Sequence, residues 1–308
     1  MSDIDDARAA FAALPGLGKQ AANATITRLG GLTNRVFRID LPQQSLCLRL
    51  PGAGTEAYID RSHEAQAARA AAEAGVSPDV IYSNSATGIM LTRFVEGATT
   101  MSPALFKSRP GAPARAGAAF RKLHDSAARF DSRFELFAMV DDYLKLLAGK
   151  PVALPDGYPA TLAEAETIRA ALAAHPLPIV ACHCDPLSEN FLDTGERMWI
   201  VDWEYSGMND PMWDIGDLSV EAEFTPAQDA ELISGYFDRQ PTPSELGRMV
   251  IYKAMCDLLW TLWGLIQLAN DNPADDFKAY ADRRFARCRS LMATPEFAAH
   301  VRSVAAGH

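Results

Sequence analysis

The first 95 residues alternate short β-prone runs with turn signals. Gly30-Gly31 and Pro42 separate the early runs, and one Ala-rich segment, 60–74, has the composition of a helix that stops at Gly75 and Pro78. The pattern predicts a small antiparallel sheet with one helix. Its five predicted strands are 24–29, 36–40, 45–50, 80–82 and 89–92.

Beyond Gly97 the pattern changes to apolar positions at helical spacing, which predicts a larger and mainly helical region. Three short runs in it, 178–182, 191–192 and 198–202, are typical of strands. We therefore predict an α+β chain with two lobes, residues 1–95 and 96–308, and a cleft between them. The predicted helices are 112–128, 134–147, 161–174 and several from 226 onward.

Composition narrows the class of protein. The 308 residues are 48% hydrophobic and 22% charged, which is typical of a globular protein, and the net charge of -10 disfavours nucleic acid and membrane surfaces as partners. The longest apolar stretch, 258–269, is shorter than a bilayer span, and the acidic N-terminus does not resemble a signal peptide. Five scattered cysteines fit a reducing compartment better than a disulfide framework, and Cys182-His183-Cys184 lacks zinc-site spacing. We expect a cytoplasmic protein.

The strongest chemical signal is the segment from His183 to Asn190, followed twelve residues later by Asp202 at the end of an apolar run. Phosphoryl transfer from a nucleotide needs a carboxylate at the attacking hydroxyl and oxygen ligands for magnesium. Asp185 is the candidate base, Asn190 and Asp202 are candidate metal ligands, and His183 is expected to fix the loop by hydrogen bonds. The alternative is that Asp185 and Asn190 are ordinary turn residues.

These residues resemble the His-x-Asp-x-x-x-x-Asn signature of the choline/ethanolamine kinase branch of aminoglycoside-phosphotransferase-like kinases. The segments 200–207 and 214–218 resemble the metal-binding stretch of that family, and 91–97 resembles its hinge. The resemblance implies a protein-kinase-like fold, with an N-lobe of antiparallel sheet plus one helix and a larger, mainly helical C-lobe. It also implies ATP and Mg²⁺ as cofactors.

The hairpin 30–37 resembles the phosphate-covering hairpin of the same family, and 48–52 its third strand. Gly31 allows close backbone approach, while Thr33 and Asn34 can donate to phosphate oxygens. Arg49 stands where protein kinases have a lysine, and its expected partner is Glu64. Open alternatives are an ordinary hairpin, a surface Arg49 on an edge strand, and pairing with Glu56, Asp60 or Glu73.

Trp260 and Trp263 are three residues apart and share one face of a predicted helix. Core packing is the ordinary explanation for such a pair. The pair also resembles the aromatic wall of the choline kinase headgroup pocket, and Glu221 matches an acidic residue of that pocket. The resemblance thus implies that the substrate is a cationic alcohol.

The predicted function is ATP-dependent phosphorylation of the hydroxyl of choline, ethanolamine or a related amino alcohol. Two alternatives stay open: a kinase of the same fold that acts on an aminoglycoside, sugar or thiamine-like alcohol, and a nucleotide-binding pseudokinase. Homodimer formation is compatible with the sequence and is not decided by it.

Overall fold

The computed structural model describes residues 2–30, 34–52 and 59–308. Its N-terminal sheet has five antiparallel strands in the order β1-β2-β3-β5-β4. Because β3 lies between β2 and β5, Arg49 is on a central strand, opposite Val36 on one side and Met90 on the other. The strands match the predicted runs: β1 (Thr25–Arg28), β2 (Arg35–Leu41), β3 (Gln44–Leu50), β4 (Val80–Asn84) and β5 (Ile89–Arg93).

The prediction of a single helix beside this sheet is wrong, because α1 (Asp3–Ala12) precedes the first strand. Ser2 caps this helix by accepting from the Asp5 backbone, and the Asp5 side chain accepts from the Ser2 backbone in return. Ala7 and Phe11 then pack into the apolar cluster of the sheet. The acidic N-terminal residues were expected only to argue against a signal peptide. In the structure they form the first turn of α1, where negative charge is favourable.

The helix that was predicted at 60–74 is α2 (Arg61–Glu73), and its capping residue is Asp60, which accepts from the Ser62 and His63 backbone. Its buried face is made of alanines that belong to the same apolar cluster as the C-terminal helices. Short side chains let α2 lie close to the C-terminal region. The helix therefore connects the sheet with the segments that carry the catalytic motif.

The C-terminal region is built around α9 (Pro243–Ala269), which contacts α5, α6, α7, α10 and α11. This helix has the length and hydropathy of a membrane span, but 83% of its most apolar window is buried inside the protein, as in a core helix. The other helices are α3 (Pro103–Ser108), α4 (Ala112–His124), α5 (Leu136–Leu147), α6 (Tyr158–Ala174), α7 (Met212–Glu221), α8 (Pro226–Tyr236), α10 (Phe277–Met292) and α11 (Pro295–Ala306).

Two small sheets carry the catalytic motif. One pairs β7 (Val180–Cys182) with β10 (Gly207–Asn209), and the other orders β6 (Thr99–Thr100), β8 (Phe191–Asp193) and β9 (Met198–Ile200) as β6-β8-β9. An antiparallel sheet followed by a mainly helical region confirms the predicted α+β class. The strands β6 and β10 and the helices α3 and α7 were not predicted, and the boundary near residue 95 stays a prediction. All five cysteines are free thiols.

Candidate active site

A cavity of about 920 Å³ lies between the N-terminal sheet and the C-terminal region. Gly31 and Thr33, predicted to approach phosphate, lie outside the described residues, and His183 is buried behind the cavity wall. The cavity brings together the other predicted site residues: Asn34, Arg49, Glu64, Asp185, Asn190, Asp202, Glu221, Trp260 and Trp263.

The loop after β7 is fixed by His183, whose side chain is fully buried. Its Nε2 lies 2.9 Å from the Val201 carbonyl oxygen, and its Nδ1 lies 3.3 Å from the Asp185 backbone nitrogen. Burial lowers the pKa of His183, so the ring is neutral and can donate at Nε2 and accept at Nδ1. This arrangement agrees with the holding role predicted for His183.

A second anchor of this loop, Asp214 on α7, was missed by the sequence analysis. Its carboxylate accepts from the backbone N–H groups of His183 and Cys184, both at 2.8 Å, and lies 3.0 Å from His124 Nε2. The only sequence signal was an acidic residue inside an apolar helix, where a carboxylate needs several donors.

Asp185 follows a residue in left-handed conformation, since Cys184 has a φ of +68°. This turn presents the Asp185 side chain to the cavity. Burial raises the pKa of Asp185 well above its usual value, and the negative charges of Glu221 and Asp202 add to the effect. A carboxylate with high proton affinity beside a cavity is suited to take the proton of a hydroxyl.

Asn190 directly precedes β8 and Asp202 lies two residues beyond β9, so both are at the same end of this antiparallel hairpin. The Asn190 amide nitrogen donates to the Asp185 carbonyl oxygen at 3.0 Å, which leaves the amide oxygen to act as a ligand. Asp202 follows β9 with a φ of +69°, and burial together with the neighbouring Glu204 raises its pKa to about 7. Two oxygen donors that face one cavity fit a hard divalent cation such as Mg²⁺.

The predicted Arg49–Glu64 ion pair forms, and both side chains are buried. Arg49 also lies 3.3 Å from Asp202, so it reaches the candidate metal ligand from the sheet. Of the alternative partners, Asp60 caps α2, Glu73 is at the far end of that helix, and Glu56 lies outside the described residues. The edge-strand alternative is excluded because β3 is central.

Asn34 lines the cavity and also makes a contact that was not predicted. Its amide nitrogen donates to the Glu204 carboxylate at 2.9 Å, and its side chain is 3% exposed. Glu204 also pairs with Arg61 at 2.5 Å, and neither of these residues was singled out from the sequence. Asn34 thus connects the hairpin to the catalytic segment, in addition to lining the cavity.

The two tryptophans of α9 form an aromatic wall. Trp260 meets the Tyr205 ring at 5.3 Å between centroids, and Trp263 meets the rings of Tyr280 and Phe277 at 5.6 Å each. Trp260 is 4% exposed, so it also packs as a core residue. The two tryptophans therefore pack against other rings and also line the cavity, and Tyr280 of α10, which was not predicted, lines it beside them.

Glu221, predicted as the counter-charge of the pocket, is already paired with a cation of the protein itself. Arg284 of α10 contacts its carboxylate, lies 3.2 Å from Asp257, and stacks over the Tyr280 ring at 4.9 Å. Arg284 is buried and lines the cavity, and no sequence pattern marked it. The wall therefore combines aromatic faces, one carboxylate and one guanidinium.

Comparison with known proteins gives the same picture of the chain. The profile of the phosphotransferase enzyme family (APH) matches residues 25–249. A crystal structure of a choline/ethanolamine kinase family protein from Mesorhizobium loti is 64% identical, with a TM-score of 0.91 and 99% coverage of both chains.

The choline kinase LicA from Streptococcus pneumoniae is 26% identical, with a TM-score of 0.74, over 87% of this chain and 93% of that one. A structure of LicA in complex with AMP is also 26% identical, with a TM-score of 0.72, over 87% and 91% of the two chains. The shared fold is the protein-kinase-like one, with an antiparallel sheet followed by a helical region. On its sequence and its fold, the chain belongs to the phosphotransferase enzyme family.

Proposed function

We propose that this phosphotransferase transfers the γ-phosphoryl group of ATP to the hydroxyl of choline, ethanolamine or a related amino alcohol, with Mg²⁺ as cofactor. The observation that carries the proposal is one cavity that is lined by Asp185, Asn190 and Asp202 as well as by Trp260 and Trp263. The similar proteins, a choline/ethanolamine kinase family protein and a choline kinase, support the acceptor class.

The nucleotide phosphates would lie near Arg49, whose buried guanidinium carries a permanent positive charge. Asp202 and the amide oxygen of Asn190 would hold Mg²⁺, which when bound neutralises charge on the phosphates. The complex of LicA with AMP supports an adenine nucleotide as the donor.

In the transfer step Asp185 would orient the acceptor hydroxyl and take its proton while the hydroxyl oxygen bonds to the γ-phosphorus. The bond to the β,γ-bridging oxygen breaks, and ADP leaves. The raised proton affinity of Asp185 matches this role, since the carboxylate must hold the proton after transfer. His183 and Asp214 act on Asp185 through the loop backbone and contact no reacting atom.

The acceptor cation would lie against the aromatic wall. The ring faces of Trp263 and Tyr280 attract ammonium groups, and a desolvated cation gains roughly 2 kcal/mol from such a face. Glu221 supplies negative charge, although Arg284 already balances part of it. This balance makes the aromatic faces the main source of selectivity for a cation.

A substrate panel tests the proposal: ADP release is measured with choline, ethanolamine, 3,3-dimethylbutan-1-ol, a sugar, an aminoglycoside and thiamine. The butanol has the shape of choline without its charge. We expect kcat/KM to be highest for an amino alcohol and about tenfold or more lower for the neutral isostere. Turnover confined to a sugar, an aminoglycoside or thiamine would refute the acceptor assignment, and no turnover with any acceptor would favour the pseudokinase.

The variants Trp263→Phe and Trp263→Leu separate attraction from packing. Phe keeps a ring face and Leu does not, so KM for the amino alcohol should rise more for Leu, with KM for ATP nearly unchanged. Equal acceptor KM values for folded Phe and Leu variants would mean that Trp263 is a packing residue. A cytoplasmic location and a homodimer stay predictions from the sequence.

A further inference from the structure

Four largely buried charged residues form a closed ring, and three of them, Arg49, Glu64 and Glu204, line the cavity. Arg49 pairs with Glu64, Glu64 lies 2.9 Å from Arg61, Arg61 lies 2.5 Å from Glu204, and Glu204 lies 3.6 Å from Arg49. Each of the four side chains is at most 11% exposed. Two guanidinium groups thus balance two carboxylates, and Asp202 adds a third carboxylate beside Arg49.

The ring joins two separate parts of the chain. Arg49, Glu64 and Arg61 belong to the N-terminal sheet and to α2, whereas Glu204 lies two residues after Asp202 in the catalytic segment. Asn34 adds a further contact from the hairpin to the same Glu204 carboxylate. Glu204 is therefore the point where the hairpin and α2 are held against the segment with the candidate metal ligand.

Arg61 limits how strongly the buried carboxylates attract the Arg49 guanidinium. With Arg61 present, Glu204 and Glu64 each have a second cation as partner. Without it, Arg49 would face Glu64, Asp202 and Glu204 alone, and buried carboxylates that lose a partner pull strongly on the cation that remains. Arg49 would then be less available to phosphate oxygens.

We infer that Arg61 is a positioning residue that clasps Glu204 to α2 and thereby keeps Arg49 available for the nucleotide phosphates. The inference rests on the nucleotide site of the proposed function. It assigns Arg61 no contact with the substrate: its effect reaches the nucleotide through Glu64, Glu204 and Arg49.

The alternative to the clasp is a metal site, because ligand oxygens of Glu64, Asp202 and Glu204 lie within 4.8 Å of one another. A metal held by all three would compete with both guanidinium groups for the same oxygens. Loss of Arg61 would then tighten the binding of Mg²⁺ in the absence of nucleotide, whereas a clasp predicts no such gain.

Calorimetry with ADP and Mg²⁺ tests the clasp, using Arg61→Met, Arg61→Lys and the control Arg69→Met. Arg69 lies on the same helix, where its exposed side chain donates to the Ser83 hydroxyl. We expect the Kd for ADP to rise about tenfold in R61M, less in R61K, and within about twofold of wild type in R69M.

Kinetics separate a positioning role from a purely structural one, because a general loss of structure would change the KM values for both substrates. KM for ATP should rise with the Kd for ADP in R61M, while KM for the amino alcohol should stay within about twofold of wild type. In a double-mutant cycle, R61M/E204Q should bind ADP no more weakly than whichever single variant binds it more weakly. The reason is that both changes break the same Arg61–Glu204 contact.

Three results would overturn the clasp: a folded R61M that binds ADP like R69M, equal rises in both KM values, or tighter Mg²⁺ binding without nucleotide. If R61M fails to fold, R61K and the charge-balanced R61M/E204Q carry the comparison. Failure of the wild-type protein to bind ADP would contradict the nucleotide site itself, so the two failures are distinguishable.

Discussion

The variant Asp214→Asn tests how the catalytic loop is held. The wild-type carboxylate accepts from the backbone of His183 and Cys184 and meets His124, with the three contacts divided between its two oxygens. An amide keeps the shape but turns one acceptor into a donor. In its better orientation the new NH₂ group faces the Cys184 N–H, which is left buried without an acceptor.

The expected loss follows from these contacts. A hydrogen bond to a charged acceptor contributes about 1.5 to 3 kcal/mol, and a buried N–H without a partner costs about 1 to 3 kcal/mol. The free energy of unfolding should therefore fall by about 3 to 5 kcal/mol, which lowers Tm by roughly 10 °C in a chain of this size. A displaced Asp185 should also lower kcat by about a hundredfold, since a shift near 1 Å has that effect.

Asp217 provides a matched control on the same helix. It is fully buried, and no backbone N–H in the described ranges of the chain donates to its carboxylate, which lies beside the Cys256 thiol. Burial raises the pKa of Asp217 well above its usual value, so the neutral form is favoured and Asp217→Asn replaces one neutral group by another. We expect a change in stability below about 1 kcal/mol.

Thermal unfolding and kcat with the best acceptor are measured for D214N and D217N side by side. A D214N variant that melts within about 2 °C of wild type, with kcat retained, would refute the hydrogen-bond argument. Equal destabilisation of both variants would mean that burial of an acid on α7, rather than its donors, sets the stability.

Three further outcomes are expected. Asp185→Asn should lower kcat by several orders of magnitude, with the Kd for ADP nearly unchanged. A variant that keeps more than about a tenth of the wild-type kcat would exclude Asp185 as the base. Asp202→Ala should abolish the Mg²⁺ dependence of ADP binding, which calorimetry with and without Mg²⁺ measures. Asp193 is fully buried, and the side chains of Arg109 and Arg115 help to lower its pKa to about 2 despite burial. Because this pKa is depressed, ionised Asp193 contributes about 2 kcal/mol above pH 4, and the contribution is lost as pH falls toward 2. The stability gap between wild type and Asp193→Asn in urea should therefore shrink by about half between pH 7 and pH 3, and a constant gap would contradict this.

The sequence was sufficient to predict the elements and contacts for which local pattern and chemistry agree. β-prone runs separated by turn signals predicted all five strands of the first sheet, and alternate positions of β2 and β3 pack on its core. The spacing of His183, Asp185, Asn190 and Asp202 predicted their convergence, since one short loop and one strand end carry all four. The Arg49–Glu64 pair also followed, because a cation on a central strand faces the start of the adjacent helix.

Long-range polar contacts could not be predicted in the same way. Asp214, Arg61 and Arg284 each act through partners more than 20 residues away or on another element, and the sequence carries no periodic signal for such contacts. Asn34 shows the same limit, because its partner Glu204 is 170 residues distant. In contrast, α1 had a local signal at Ser2 and Asp5, and the capping pattern would have found it.

Helix α7 sets a length scale inside the enzyme. Asp214, which holds the loop of Asp185, and Glu221, which lines the cavity where the acceptor cation is proposed to bind, are seven residues apart on this helix, or about 10 Å along its axis. A methyl group at Gly216 would lie 2.6 Å from the Met249 carbonyl oxygen of α9, so the two helices touch at backbone distance. On the proposed function, α7 and its close contact with α9 set the distance between Glu221 and the loop that carries Asp185, because Asp214 of α7 holds that loop. We therefore expect kcat/KM to fall for amino alcohols with a longer carbon chain between hydroxyl and nitrogen.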